Sequence, residues 1–223
     1  MTRSARSSLL VAAPLLLGGL LLFHPEGDGE IYAGMHDQVT AWLVVHVGLA
    51  VGAVLMAVVL YQLLRDVTGR AATLGRYALA PFVVSFLAWE GFTGIQTGIL
   101  ADQANDLPPG AQRDAAAANI QDHFTSPILG DPSVMSMIAN GSWIFAVVAA
   151  GLALRRAYGG RATLVLLCLA SLFTAHSIFL GSIGLACLAA AALIVERQRA
   201  VAVSRQRPGG PPAQWHGQPR PVS

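Results

Sequence analysis

The sequence predicts an all-α integral membrane protein, a six-helix bundle with both termini cytoplasmic. Three observations carry this. Of 223 residues 54% are hydrophobic and only 12% are charged, against about 25% charged in a soluble domain. The apolar residues fall in runs of membrane-spanning length, which one small soluble core has no volume to hide. Thirteen of the fourteen arginines lie before, between or after these runs so as to fall on one side of a membrane.

Taken in order, the apolar segments are 9–23, 41–64, 77–100, 133–154, 162–177 and 178–195. A hydrocarbon core of ~30 Å needs about 20 helical residues at 1.5 Å each. The second, third and fourth segments meet that length. The first follows Arg3 and Arg6 and ends in Leu-Leu-Phe-His-Pro rather than a small-x-small site, so it is read as a retained helix instead of a cleaved leader. The fifth and sixth share one unbroken apolar stretch and are expected to form a hairpin turning near His176 and Ser177. Arg3 and Arg6, then Arg65, Arg70 and Arg76, then Arg155, Arg156 and Arg161, then the five arginines after the last segment alternate with the outer loops, leaving only Arg113 outside. By the positive-inside rule the termini are cytoplasmic, the expected location being a cell inner membrane.

Residues 1–196 are thus the transmembrane domain, and 197–223, with Pro-Gly-Gly-Pro-Pro and little to pack, a disordered cytoplasmic tail. Its arginines are placed to meet anionic lipid. In the outer loop 101–132, Pro108-Pro109-Gly110 opens a helix that Ser126-Pro127 closes; Ala116, Ile120, His123 and Phe124 share one face. That helix is read either as a lid on the bundle mouth or as an ordinary solvated loop helix.

Several function classes drop out. The net charge is +2 with no lysine, so no nucleic-acid footprint is present. Cys168 and Cys187 lie inside apolar runs and read as small apolar filling, not a disulfide framework. No Ser-His-Asp order, phosphate loop or H-E-x-x-H motif occurs.

What remains is a polar layer. Glu90, Asn140 and His176 each lie about 13 or 14 residues from the cytoplasmic end of their segment, roughly 20 Å deep. His46 and Ser136 lie about a turn higher. Glu90, Thr93 and Thr97 form one stripe beside a strip of Gly91, Gly94 and Gly98; Ser133, Ser136 and Asn140 form another. Ionisable groups are costly in a bilayer, so this layer implies an outward-opening pocket.

Histidine with carboxylate is a common ligand set for borderline cations. The expected site is a divalent transition metal (zinc, iron or copper) held by His46, Glu90 and His176, with His123 as a lid ligand. Haem between His46 and His176 is a narrower version. In an enzyme Glu90 would be the catalytic general base or a ligand. The competing readings are a proton or small-solute carrier in which Glu90 titrates, and a structural or accessory subunit whose polar layer only fixes helix packing.

Phe23-His24-Pro25 followed by Trp42-Leu43-Val44-Val45-His46 resembles the H-P and W-x-x-x-H arrangement of short bacterial six-span membrane proteins of unknown function. The resemblance implies a bacterial inner-membrane protein and no particular activity.

Overall fold

The computed structural model describes residues 3–25, 29–175 and 177–206. Every regular element in them is helical. The order is α1 (Arg3–Leu21), α2 (Ile31–Met35), a 3₁₀ turn (His36–Gln38), α3 (Val39–Leu64), α4 (Arg70–Trp89), a π-helical segment (Glu90–Gln96), α5 (Thr97–Asn105), α6 (Ala111–Phe124), α7 (Val134–Tyr158), α8 (Arg161–Leu169), a second 3₁₀ segment (Ala170–Ala175) and α9 (Ile178–Gln206).

Four helical rods are long and apolar enough to cross a membrane: Ile31–Leu64, Arg70–Asn105, Val134–Tyr158 and Ile178–Ala202. Two apolar helices are shorter, Ala5–Leu21 and Arg161–Thr174. His176, where a turn is expected, lies outside the described residues; Ser177, just before α9, is not helical. Several expected bounds move; the third segment, expected over 77–100, lies in a helical rod Arg70–Asn105. α7 continues to Tyr158 and stops where Gly159 takes a left-handed conformation at φ 77°, the usual device for releasing a helix C-terminus. α9 runs to Gln206 instead of ending near Val195, because Ala200, Val201 and Ala202 are compatible with helix and Arg199 anchors it to the bundle. Position 196 is therefore no structural break; the tail beyond Gln206 lies outside the described residues.

Small residues set the close helix contacts, as expected where packing rather than apolar segregation drives association. α4 lies along α7, with Gly75 against the Ala146 carbonyl and the Ala149 methyl. α1 lies along α9, with Gly18 facing Ser182, whose hydroxyl donates to the Gly18 carbonyl at 2.9 Å. Leu17 and Leu20 of α1 lie against Gly52 and Gly48 of α3. Between these pairs an aromatic core of Phe82, Phe86, Trp89, Trp143 and Phe173 fills the centre. The Trp143 indole donates to the Ala170 carbonyl at 3.0 Å, where α8 tightens into its 3₁₀ segment.

At one end of the bundle the chain gathers its basic residues. Arg6 donates to the Gln62 carbonyl at 3.0 Å, Arg76 to Leu64 at 2.8 Å, and Arg199 to Leu63 at 2.6 Å. These are the last carbonyls of α3, which have no partner within their own helix. At the other end α2, α5 and α6 form a cap over a second apolar cluster of Tyr32, Met35, Val39, Trp42, Ala101, Ala104 and Ile120. α6 is the expected loop helix, and it packs on this cluster through Ile120, Ala116 and Phe124.

Candidate functional site

α3 and the π segment carry the site. Glu90 ends α4 at the point where the helix widens, and its side chain is fully buried. A π turn admits one more residue than an α turn, which changes the direction of the side chains beyond it; such bulges recur at functional positions. Opposite, on α3, His46 is 2% exposed. Its Nδ1 lies 2.6 Å from Glu90 Oε2, a direct hydrogen bond sealed from solvent.

Gly94 makes the contact sterically feasible. A Cβ at that position would run into the His46 ring, and one at Gly98 would run into Leu43 and Trp42. The strip of Gly94 and Gly98 thus receives α3, whereas Gly91 faces open space.

The π segment is tied down from α3 and from α6. Trp42 donates its indole N–H to the Gly94 carbonyl at 2.7 Å. His123, on α6, reaches the Phe92 carbonyl through Nε2 at 3.0 Å and stacks on the Phe92 ring at 3.7 Å. Since the carbonyl only accepts, Nε2 carries the proton. Thr93 and Thr97 turn their hydroxyls back onto the Trp89 and Phe92 carbonyls. Carbonyls displaced from regular α-helical pairing are thereby satisfied by side chains.

Trp42 and His24 pack on the His46 ring at tilted and edge-on angles. His46 lies 4.3 Å from Trp42 and 5.1 Å from His24, and His24 lies 5.3 Å from Trp42, centroid to centroid. The His24 Nδ1 contacts the Pro25 carbonyl at 2.7 Å. A small cavity of about 10 Å³, bounded by His24, Leu21, Leu49, Phe86, Phe173 and Ser177, abuts this cluster; that is room for one water.

On the cap side, the loop after α6 brings Asp131 within electrostatic reach. Its amide donates to the Phe124 carbonyl at 2.7 Å, and Gly130 fits against the backbone of Phe124 and Ser126 where a Cβ would not. Burial raises the Asp131 carboxyl above its ordinary range, and the negative charge of Glu90 raises it further. The nearby carboxylate thus biases Asp131 toward holding its proton.

Of the expected ligands, the structure brings His46 and Glu90 together. It places His123 on the Phe92 carbonyl instead. His176 lies outside the described residues, although its neighbour Ser177 lines the small cavity beside His24. Among the described residues no group of three or more His, Cys, Asp or Glu side chains is arranged to hold a metal ion. The serine stripe of α7 has another use: Ser133 and Ser136 form a reciprocal capping box at the start of the helix, a local requirement of the N-terminus. The Asn140 side-chain oxygen is buried with no hydrogen-bond partner among the described residues.

Two residues of the site were absent from the expected ligand set. His24 was signalled by its Phe-His-Pro setting, since that motif and Trp42-x-x-x-His46 supply all three clustered rings. Asp131 carried no local signal, because its proximity to Glu90 depends on how the 125–133 loop folds back. No family model matches the chain, and no curated protein and no solved structure is significantly similar to it.

Proposed function

We propose that this chain is a membrane carrier in which the His46–Glu90 pair takes up and releases a proton. The observation that carries the reading is the 2.6 Å contact between a carboxylate and an imidazole at 0% and 3% side-chain exposure. In a low-dielectric interior a pair that is neutral overall is strongly favoured over one with net charge. In the neutral state one proton lies between Oε2 and Nδ1. Loss of a proton leaves the Glu90 carboxylate accepting from Nδ1–H, and that anion is the costly state. Asp131, on the cap side of Glu90, is suited to receive the proton and pass it to solvent. The π segment supplies the adjustable element, since a π turn and an α turn differ by one residue in register.

The reading includes six crossings of a bacterial inner membrane, with the two shorter apolar helices counted and both termini cytoplasmic. The one-sided arginines support it, and those near the termini are suited to anionic lipid. The metal reading lacks a third ligand among the described residues, so a bound cation is an outcome of the test.

Proteoliposomes loaded with a pH-sensitive dye, given an imposed membrane potential, provide that test. Wild-type protein is expected to acidify the lumen, and Glu90→Gln and His46→Ala to stay near the protein-free leak. Equal flux from Glu90→Gln and wild type overturns the proposal, as does absence of flux from the wild type. Stoichiometric zinc, iron, copper or haem that His46→Ala removes would replace it by the metal or cofactor reading.

A further inference from the structure

We infer that the flank between α1 and α3 is a binding site for a phospholipid with an amine headgroup. Two adjoining cavities carry this. The first is a groove of about 850 Å³ bounded by Ser8, Leu16 and Leu20 of α1 and by Val44, Val51 and Leu55 of α3; of its fourteen lining residues only Ser8 is polar. The second, about 700 Å³, opens at the cap end and is lined by His36, Asp37, Gln38, Thr40, Asp102 and Asn105, with apolar residues beneath. Leu20 and Val44 line both cavities, so an apolar channel leads into a polar mouth.

The dimensions select the occupant. From Ser8 to Leu20, or from Leu43 to Leu55, the groove follows twelve residues of helix, about 18 Å. That slightly exceeds one leaflet, which is half of a ~30 Å hydrocarbon core. Dividing the volume by this length gives a mean cross-section of about 50 Å². Two extended hydrocarbon chains, each keeping ~4–4.5 Å from its neighbours, need about 40 Å². The groove suits a pair of acyl chains lying along it.

Charge at the mouth selects the headgroup. Asp37 and Asp102 are both exposed there. The cap-side segments also carry Glu30, Asp106, Asp114 and Asp122; their one arginine, Arg113, is engaged by the Asn105 and Leu107 carbonyls. An anionic headgroup is repelled by such a field, and a headgroup ammonium is attracted. Gln38 and Thr40 add side chains able to hydrogen-bond the phosphate oxygens. Neither His46 nor Glu90 lines either cavity, so this site is independent of the proton pair.

Native mass spectrometry on the full chain tests it. Delipidated protein in detergent is titrated with phosphatidylethanolamine and phosphatidylglycerol of identical acyl chains. The expected result is an ethanolamine adduct retained about threefold or more over the glycerol adduct, the size of effect two exposed carboxylates supply. Asp37→Asn with Asp102→Asn should bring the ratio near one. Val51→Trp, which fills the groove from an exposed position, should reduce both adducts, and Glu90→Gln should leave the preference intact. Equal retention of both lipids by the wild type, an unchanged ratio in the double variant, or unchanged adducts in Val51→Trp overturns the site. So does a doubled protein mass that Val51→Trp abolishes, which would assign the groove to a second copy.

Discussion

Gly94 and Asp131 are the residues on which the site's geometry and its charge depend. The neighbouring glycines of the π segment differ in a way that can be measured. A methyl at Gly94 meets the His46 ring, while one at Gly91 meets nothing within 4 Å. Gly94→Ala is therefore expected to cost about 1–3 kcal/mol through overpacking. Gly91→Ala should leave stability unchanged or raise it by up to about 1 kcal/mol, as glycine in a helix is the poorer former. Melting of the two variants in the same detergent makes the comparison; equal losses would mean that His46 does not seat on Gly94. For Asp131 the sign follows from its raised carboxyl. A group that binds its proton more tightly when folded adds stability below its unfolded titration range, and that stability is lost as pH rises through the folded one. Asp131→Asn removes the penalty of ionisation, so at pH 7–8 its melting temperature should exceed that of the wild type. The gap should close toward pH 4, near the ordinary carboxylate range. A pH-independent difference would show that burial and Glu90 do not govern this carboxyl.

Among the elements, α3 is held at both ends by other helices. Its last carbonyls are taken by Arg6, Arg76 and Arg199, and Arg199 also contacts Glu196 and the Tyr158 hydroxyl. Charge-assisted hydrogen bonds contribute about 1.5–3 kcal/mol each when removal leaves a partner buried. Arg199→Ala should thus lower the melting temperature clearly, and Arg199→Lys should recover only part, since an ammonium lacks the planar fork that spans several acceptors. Full rescue by lysine would reduce the interaction to charge alone. The helices themselves were readable from apolar length, and the loop helix Ala111–Phe124 from its Pro-Gly opening and Ser-Pro close. The His46–Glu90 contact was readable too, because both are costly ionisable groups at similar depth. The π segment was not: Glu-Gly-Phe-Thr-Gly-Ile-Gln has ordinary helical periodicity, and its widening depends on Trp42 and His123 arriving from other helices. Nor was the true use of Ser133 and Ser136, whose i, i+3 spacing suits a pocket stripe and a capping box equally. The end of α9 is not legible either, because residues 197–206 can continue a helix while the Pro-Gly-rich composition that follows points to a tail.

The whole molecule has a polarity that its contacts and its sequence express together. Arg6, Arg76 and Arg199 converge on the last turn of α3 at one end, while the cap of α2, α5 and α6 with its acidic loops lies at the other. On the proposed topology, with the arginine-rich end cytoplasmic, the cap, Asp131 and the lipid mouth face outward, and proton entry is expected from the outer face. The test needs a background without native thiols, which Cys168→Ala with Cys187→Ala should supply at normal expression, since each reads as a small apolar residue in an apolar run. Single cysteines are then introduced at Ala115, exposed on α6, and at Thr68, exposed in the turn between α3 and α4. A membrane-impermeant maleimide applied to intact cells should modify the probe at 115 and spare the one at 68, with both reacting after permeabilisation. The reverse pattern would invert the orientation, and proton uptake would then start from the cytoplasm.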